Sequence, residues 1–304
     1  MEKIKTNFES FPIALLEHVN LCIPSHNFAE EYYVNLLGFV LDPKKGRNSP
    51  RGTLHFNAGI TQIHLTLGDP QIIPGSIVLL HPNLKILKKR LETSPTLELL
   101  KESKFSWKER EEDGTFEIIG PYGNCFKVRE AERSFGRKNI PGAHLHGNLS
   151  EMIGIVSIEF KCKMNQASKI TEYYQKFFKC GRIVKGEGSK SAVIDVGTSF
   201  WRQSIVFKES PKNYAYDGHH IAIYLNDEDL FEKSFQNFKK HDLIFVNPRP
   251  GFGGADTLEK ATNEHQFRIK DIIDLENNEL IHELEHEVRN LKNNSCPIGK
   301  SGEY

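Results

Sequence analysis

The feature that most restricts this chain is a fourfold internal repetition: an alternating strand, an amphipathic helix, then short strand-like runs. LLEHVNLCI (15–23) alternates like a half-buried strand, and after Pro24 the stretch FAEEYYVNLLGF sets Phe28, Tyr32, Tyr33, Leu36 and Leu37 at helical spacing. Runs at 39–42, 52–57 and 61–67 complete this first unit. The order returns with GSIVLL (75–80), PNLKILKKRLE and NCFKV (124–128), and again with IVSIEFKC (155–162), ASKITEYYQKFF and SFWRQSIVF. A fourth unit runs from HHIAIYL (219–225) through DEDLFEKSFQNFKKH to ELIHELEHEVR. The spacing predicts helices over 27–37, 82–91, 167–178 and 228–239.

One strand, one crossover helix and three further strands cannot cover both faces of a small sheet, so such modules must pack in pairs. A pair curves into a cup whose inward positions recur every second residue. The widest gap between helix starts contains EAERSFGRKNIPGAHLHGN (130–148), which is polar and carries Gly and Pro, and reads as a linker. The expected class is α+β: two tandem domains, each a pair of βαβββ modules forming a curved, barrel-like sheet. Their expected limits are 13–130 and 150–290, with a linker at 131–149 and a tail at 291–304.

Lys+Arg and Asp+Glu both number 40, so no global field draws the chain to nucleic acid or to an anionic membrane. The five cysteines are odd in number and scattered, without a CxxC pair, which argues for a reducing compartment. MEKIKTNFESFP lacks the apolar stretch of a secretion signal, and no apolar run is long enough to span a bilayer. A cytoplasmic protein is therefore expected.

Five motifs, in order, carry a resemblance: EHVNLCIPSHNFAEEYYVNLLGF, TQIHLTLG, GPYGNCFKV, GHHIAIYL and ELIHELEHEVR. Over roughly residues 13–290 the chain resembles the vicinal oxygen chelate superfamily of glyoxalases, bleomycin-resistance proteins and extradiol dioxygenases. The resemblance implies one divalent metal (Fe, Mn, Ni or Zn) per competent cup. Its ligands would be His and Glu from the first and last strands of the paired modules. Positions left open would take a substrate's adjacent oxygens.

Carried over by position, His18 falls on a first ligand site and His64 near a second, while Ser76 and Lys127 stand where His and Glu would be expected. A lysine ammonium opposes a cation. The amino-terminal cup is therefore expected to be metal-free, with His18, His64 and Lys127 as pocket residues. In the carboxy-terminal half Ser157 takes the first-strand position, with Glu159 two residues on and facing the same way. His220 and Glu283 fall where the resemblance places His and Glu, and Glu285 and Glu287 share the face of Glu283. The expected ligand set is thus His220 and Glu283, completed by Glu159 or water. Tyr224 shares the face of His220 and is the candidate catalytic hydroxyl, with core packing as its other reading.

Two function classes stay open. One is a metal-dependent enzyme acting on a small molecule with adjacent oxygens, by dioxygenase, isomerase or lyase chemistry. The other is a non-catalytic binding or scaffold protein with eroded metal sites, working with a protein partner or as a homo-oligomer. Lys127, Ser76 and Ser157 motivate the second.

Overall fold

The computed structural model describes residues 11–43, 52–132, 149–186, 188–198, 201–248 and 254–298. Most of the expected linker, 133–148, and the end of the expected tail, 299–304, lie outside the described residues. Among the described residues fifteen strands form two mixed sheets. The first module holds β1 (Ile13–Ile23), β2 (Val40–Leu41), β3 (Thr53–Ala58) and β4 (Thr61–Leu67). The second holds β5 (Gly75–His81), β6 (Ser106–Glu109), β7 (Phe116–Ile119) and β8 (Cys125–Glu130). The third holds β9 (Gly154–Lys163), β10 (Arg182–Gly186), β11 (Ser189–Gly197) and β12 (Arg202–Ser210). The fourth holds β13 (His220–Leu225), β14 (Gln266–Ile273) and β15 (Leu280–Asn290), with an isolated bridge from Ile244 to Ile269 where a further strand would lie.

Helices fall where the apolar spacing places them. The first is a π-helical turn, Glu31–Leu36, that buries Tyr32, Tyr33 and Leu36. In the second module, Asn83 caps α1 (Leu84–Thr93) by accepting from the Lys85 and Ile86 amides, and the short α2 (Thr96–Leu100) follows. Next come α3 (Ala167–Phe178) and α4 (Glu228–Lys240), the latter capped by Asp227. Phe177 of α3 stacks on Phe238 of α4, ring centroids 4.2 Å apart. The short α5 (Leu258–Glu264) leads into β14.

Within each module the last strand lies beside the first, but the modules do not pair in the order expected. The seven-stranded sheet runs β14-β15-β13-β1-β4-β3-β2, and the eight-stranded sheet β10-β11-β12-β9-β5-β8-β7-β6. Module one therefore joins module four through antiparallel β1–β13, and module two joins module three through β5–β9. Limits at 13–130 and 150–290 do not describe the strand pairing, because each cup draws on both halves of the chain. Gly75 marks one such junction, since a Cβ there would meet the Glu159 carbonyl oxygen at 1.7 Å. Only glycine lets the two backbones approach so closely.

All eleven residues of β1 are buried. Val19, Leu21 and Ile23 enter the main core, while Glu17, His18 and Asn20 are buried polar groups. The strand carries a bulge: Leu16 pairs with Ile223 and His18 with Ala222, leaving Glu17 as the extra residue. Gln203 of β12 holds this irregular backbone from the other sheet. Its side-chain oxygen accepts from the Leu16 amide at 2.9 Å, and its nitrogen donates to the Leu16 and Ile155 carbonyls at 2.8 Å. A smaller apolar cluster, with Leu15, Trp201, Tyr224 and Cys296, packs Leu291 and Ile298 of the expected tail against the body.

Candidate metal centre

The bulge brings Glu17 and His18, neighbours in sequence, into contact: His18 Nδ1 lies 3.0 Å from Glu17 Oε2. The carboxylate can only accept, so Nδ1 carries the proton and Nε2 presents a lone pair. That Nε2 atom is buried and has no hydrogen-bond partner. With His220 and Glu287 it forms a set whose ligand atoms all lie within 4.8 Å of one another. His18 comes from β1, His220 from β13 and Glu287 from β15, and the register of Ala222 opposite both His18 and Glu287 explains their convergence. Exposure is only 1 %, 5 % and 4 % for the three.

Around this triad the cup is charged. Arg268 donates to Glu285 through Nη1 and to Glu287 Oε2 through Nη2. Arg289 pairs with Glu287, and its Nη1 donates to Glu17 at 2.8 Å and to the Tyr224 hydroxyl at 2.9 Å. Burial alone would raise the Glu287 carboxyl, but Arg289 and Arg268 hold it well below the usual carboxylate range. Burial, then the nearby Arg268 charge, pushes His220 well below its ordinary value. His64 is pushed down too, chiefly by burial, and stacks on the His18 ring at 3.9 Å. Its Nε2 lies 2.7 Å from Gln62 Oε1, so it supports the triad rather than joining it.

The ligand set expected from sequence is not brought together. His220 is in the cup, but Glu283 lies two residues before the Glu285 that pairs with His220, beyond the end of β13. A bulge in β15 between His286 and Glu283 takes Glu283 out of phase with Glu287, and it forms an ion pair with Lys270 at 2.9 Å. Glu159 is in the other sheet, where Lys127 and Ser76 both donate to its Oε2. Lys127 thus faces a carboxylate, but in the cup of modules two and three, away from His18 and His64. The Tyr224 ring is buried in the small apolar cluster, and its hydroxyl accepts from Arg289. Burial raises that hydroxyl well above its ordinary value, so proton donation from it is disfavoured. The contact of Glu17 with His18, and the place of His18 and Glu287 in this triad, are not read from the sequence, whereas the pairing of Arg268 with Glu285 and Glu287 is as its charge suggests. A usable signal existed: at the first-strand ligand position modules one and four carry His18 and His220, whereas modules two and three carry Ser76 and Ser157.

No protein-family model and no curated protein matches this sequence. Solved structures do match. A Bacillus subtilis subsp. subtilis str. 168 protein described as a "putative dioxygenase" superposes with a TM-score of 0.56 at 15% identity, over 96% of this chain and 91% of its own. The chain has the vicinal oxygen chelate fold. Glyoxalase I from Zea mays superposes with a TM-score of 0.53 at 12% identity, over 90% of this chain and 92% of its own. Within this vicinal oxygen chelate architecture, one cup holds a buried His–His–Glu triad and the other an ion pair of lysine and glutamate.

Two further histidines make folding sensitive to acid. His286 donates from Nδ1 to the Leu284 carbonyl at 2.7 Å and accepts from the Tyr174 hydroxyl at 2.5 Å. Burial pushes His286 down to about 3 and His282 down to about 4, from an ordinary 6.5. Their neutral forms favour the folded state at any pH above 6.5, and the unfolded chain takes up protons first as pH falls. Stability should therefore fall between pH 6.5 and about 4, by roughly 1.4 kcal/mol per pH unit for each histidine. Urea unfolding at pH 7, 6 and 5 measures this, and a flat profile would contradict it.

Proposed function

We propose that the cup of modules one and four is the metal centre of an enzyme acting on a small molecule with adjacent oxygens. The ligands are His18, His220 and Glu287. The observation that carries this reading is His18 Nε2, a buried lone pair with no partner, aligned by Glu17 beside a second histidine and a carboxylate. A carboxylate holding the far nitrogen of an imidazole is a common support for a metal-ligating histidine. Two His and one carboxylate suit Fe(II), Mn, Ni or Zn and leave coordination positions free. Such an ion supplies Lewis-acid polarisation of substrate oxygens. The chain's own residues orient and insulate: Glu17 fixes the His18 tautomer, Gln203 holds the bulge beneath it, and burial keeps His64 and His220 neutral.

The rival, a binding module in which guanidinium groups take the place of a cation, draws on one fact: Arg268 and Arg289 already hold the Glu287 carboxylate. Metal titration separates the two. Purified protein stripped by chelator and equilibrated with Fe(II), Mn, Ni or Zn should retain about one ion per chain, read by elemental analysis. Retention of none supports the binding module instead. Glu283→Gln and Glu159→Gln, which alter the ligands expected from sequence, should leave the stoichiometry unchanged.

A further inference from the structure

Arg268 enters the same cup from β14, directly opposite Glu287 in the pairing with β15, and is only 4 % exposed. Its Nη1 rests on Glu285, which also accepts from Asn247 at 3.3 Å. Its Nη2 holds Glu287 Oε2, while its Nε, though buried, has no hydrogen-bond partner. Nε–H and Nη2–H form the side-on edge of a guanidinium, the edge that grips a carboxylate with two parallel hydrogen bonds. Here that edge is half used. Glu287 Oε2 is moreover the atom 3.8 Å from His220 Nε2, so the oxygen nearest the triad's imidazole is the one Arg268 holds.

We infer that Arg268 recognises the carboxylate of an acidic substrate, a small 2-oxo or 2-hydroxy acid whose other oxygen goes to the cation. This rests on the metal reading above. A cation on Glu287 competes with Arg268 for Oε2, and the side-on edge is then available to an incoming carboxylate. The Glu285 contact keeps the guanidinium in place meanwhile. Charge counting supports a monoanion. Glu17, Glu285 and Glu287 against Arg268 and Arg289 leave one negative charge in the cup. A divalent ion turns that into one positive charge, and a single carboxylate restores neutrality, which a water-poor cup favours.

The test uses zinc-loaded protein and two probes, pyruvate and its neutral analogue hydroxyacetone, titrated by saturation-transfer NMR. Wild type should bind pyruvate at least about tenfold more tightly than hydroxyacetone. Arg268→Lys keeps the charge but removes the side-on edge. It should retain zinc and lose that preference, with hydroxyacetone binding unchanged. Should that variant fail to fold, the pair Arg268→Gln with Glu285→Gln preserves the charge count and makes the same comparison. Equal affinity of wild type for both probes, or an undiminished pyruvate preference in the variants, overturns the assignment. Zinc uptake followed by calorimetry reads the metal site separately. No uptake by wild type removes the metal reading and this proposal with it, whereas uptake without acid preference removes the role of Arg268 alone.

Discussion

Replacing His18 with alanine is expected to weaken divalent-metal binding by at least about 100-fold, while the protein stays folded. Loss of a residue that merely supports a ligand costs on the order of 10- to 100-fold in metal affinity, and loss of the ligand itself costs more. His18 should be a ligand because its Nε2 is a buried lone pair without a partner, and its Nδ1 is held by Glu17. His220→Ala and Glu287→Gln should act in the same way. Glu17→Gln should fall between, since an amide can still contact Nδ1 but no longer dictates which nitrogen carries the proton. Calorimetric titration with Zn or Mn measures the affinities, and circular dichroism shows whether each variant folds. Unchanged affinity in folded His18→Ala would exclude this triad as the metal centre.

The second large effect concerns Arg289, and it falls on stability. Its guanidinium donates to Glu287 Oε1 at 2.6 Å, to Glu17 at 2.8 Å and to Tyr224 at 2.9 Å, with a longer contact to Gln266 at 3.2 Å. Burial opposes its charge, yet Glu287 and Glu17 outweigh that and raise its pKa well above the ordinary value. Removing one partner from a buried ion cluster leaves carboxylates without compensation, a loss of about 3–5 kcal/mol. Arg289→Met should therefore lower stability by about that much in urea unfolding. Adding Glu17→Gln should restore part of it, because one orphaned carboxylate is then neutral. The double-mutant cycle would show coupling of about 1 kcal/mol or more between positions this close. A loss under about 1 kcal/mol would mean that water reaches the cluster and screens it.

Much of this architecture is legible in the residues themselves. Apolar spacing located the helices, and Glu228–Lys240, with Phe231, Phe235 and Phe238 buried along one face, matches it closely. Strand alternation also assigned the inward phase of His18 and His220, which both face the cup, but a bulge in β15 between His286 and Glu283 breaks the alternation that put Glu283 on one side with Glu285 and Glu287. What alternation cannot supply is the offset along a strand. Any of three glutamates satisfies a period of two, and only the β13–β15 register, with Ala222 opposite Glu287, selects among them. The bulge that turns Glu17 toward His18 is likewise invisible, because Gln203 stabilises it from 187 residues away.

The pairing of modules was the larger decision left to tertiary structure. Every first strand presents the same free backbone edge, and hydrogen-bonding edges carry no address of their own. Residue pattern therefore determined four modules, their helices and the inward faces. Which first strands meet was decided by close packing: Gly75 lets β5 lie against β9, and Gln203 ties Leu16 to Ile155 across the sheets. That choice put His18 beside His220 and Lys127 beside Glu159. One cup thereby gathers lone pairs and surplus negative charge suited to a cation, and the other closes on its own ion pair.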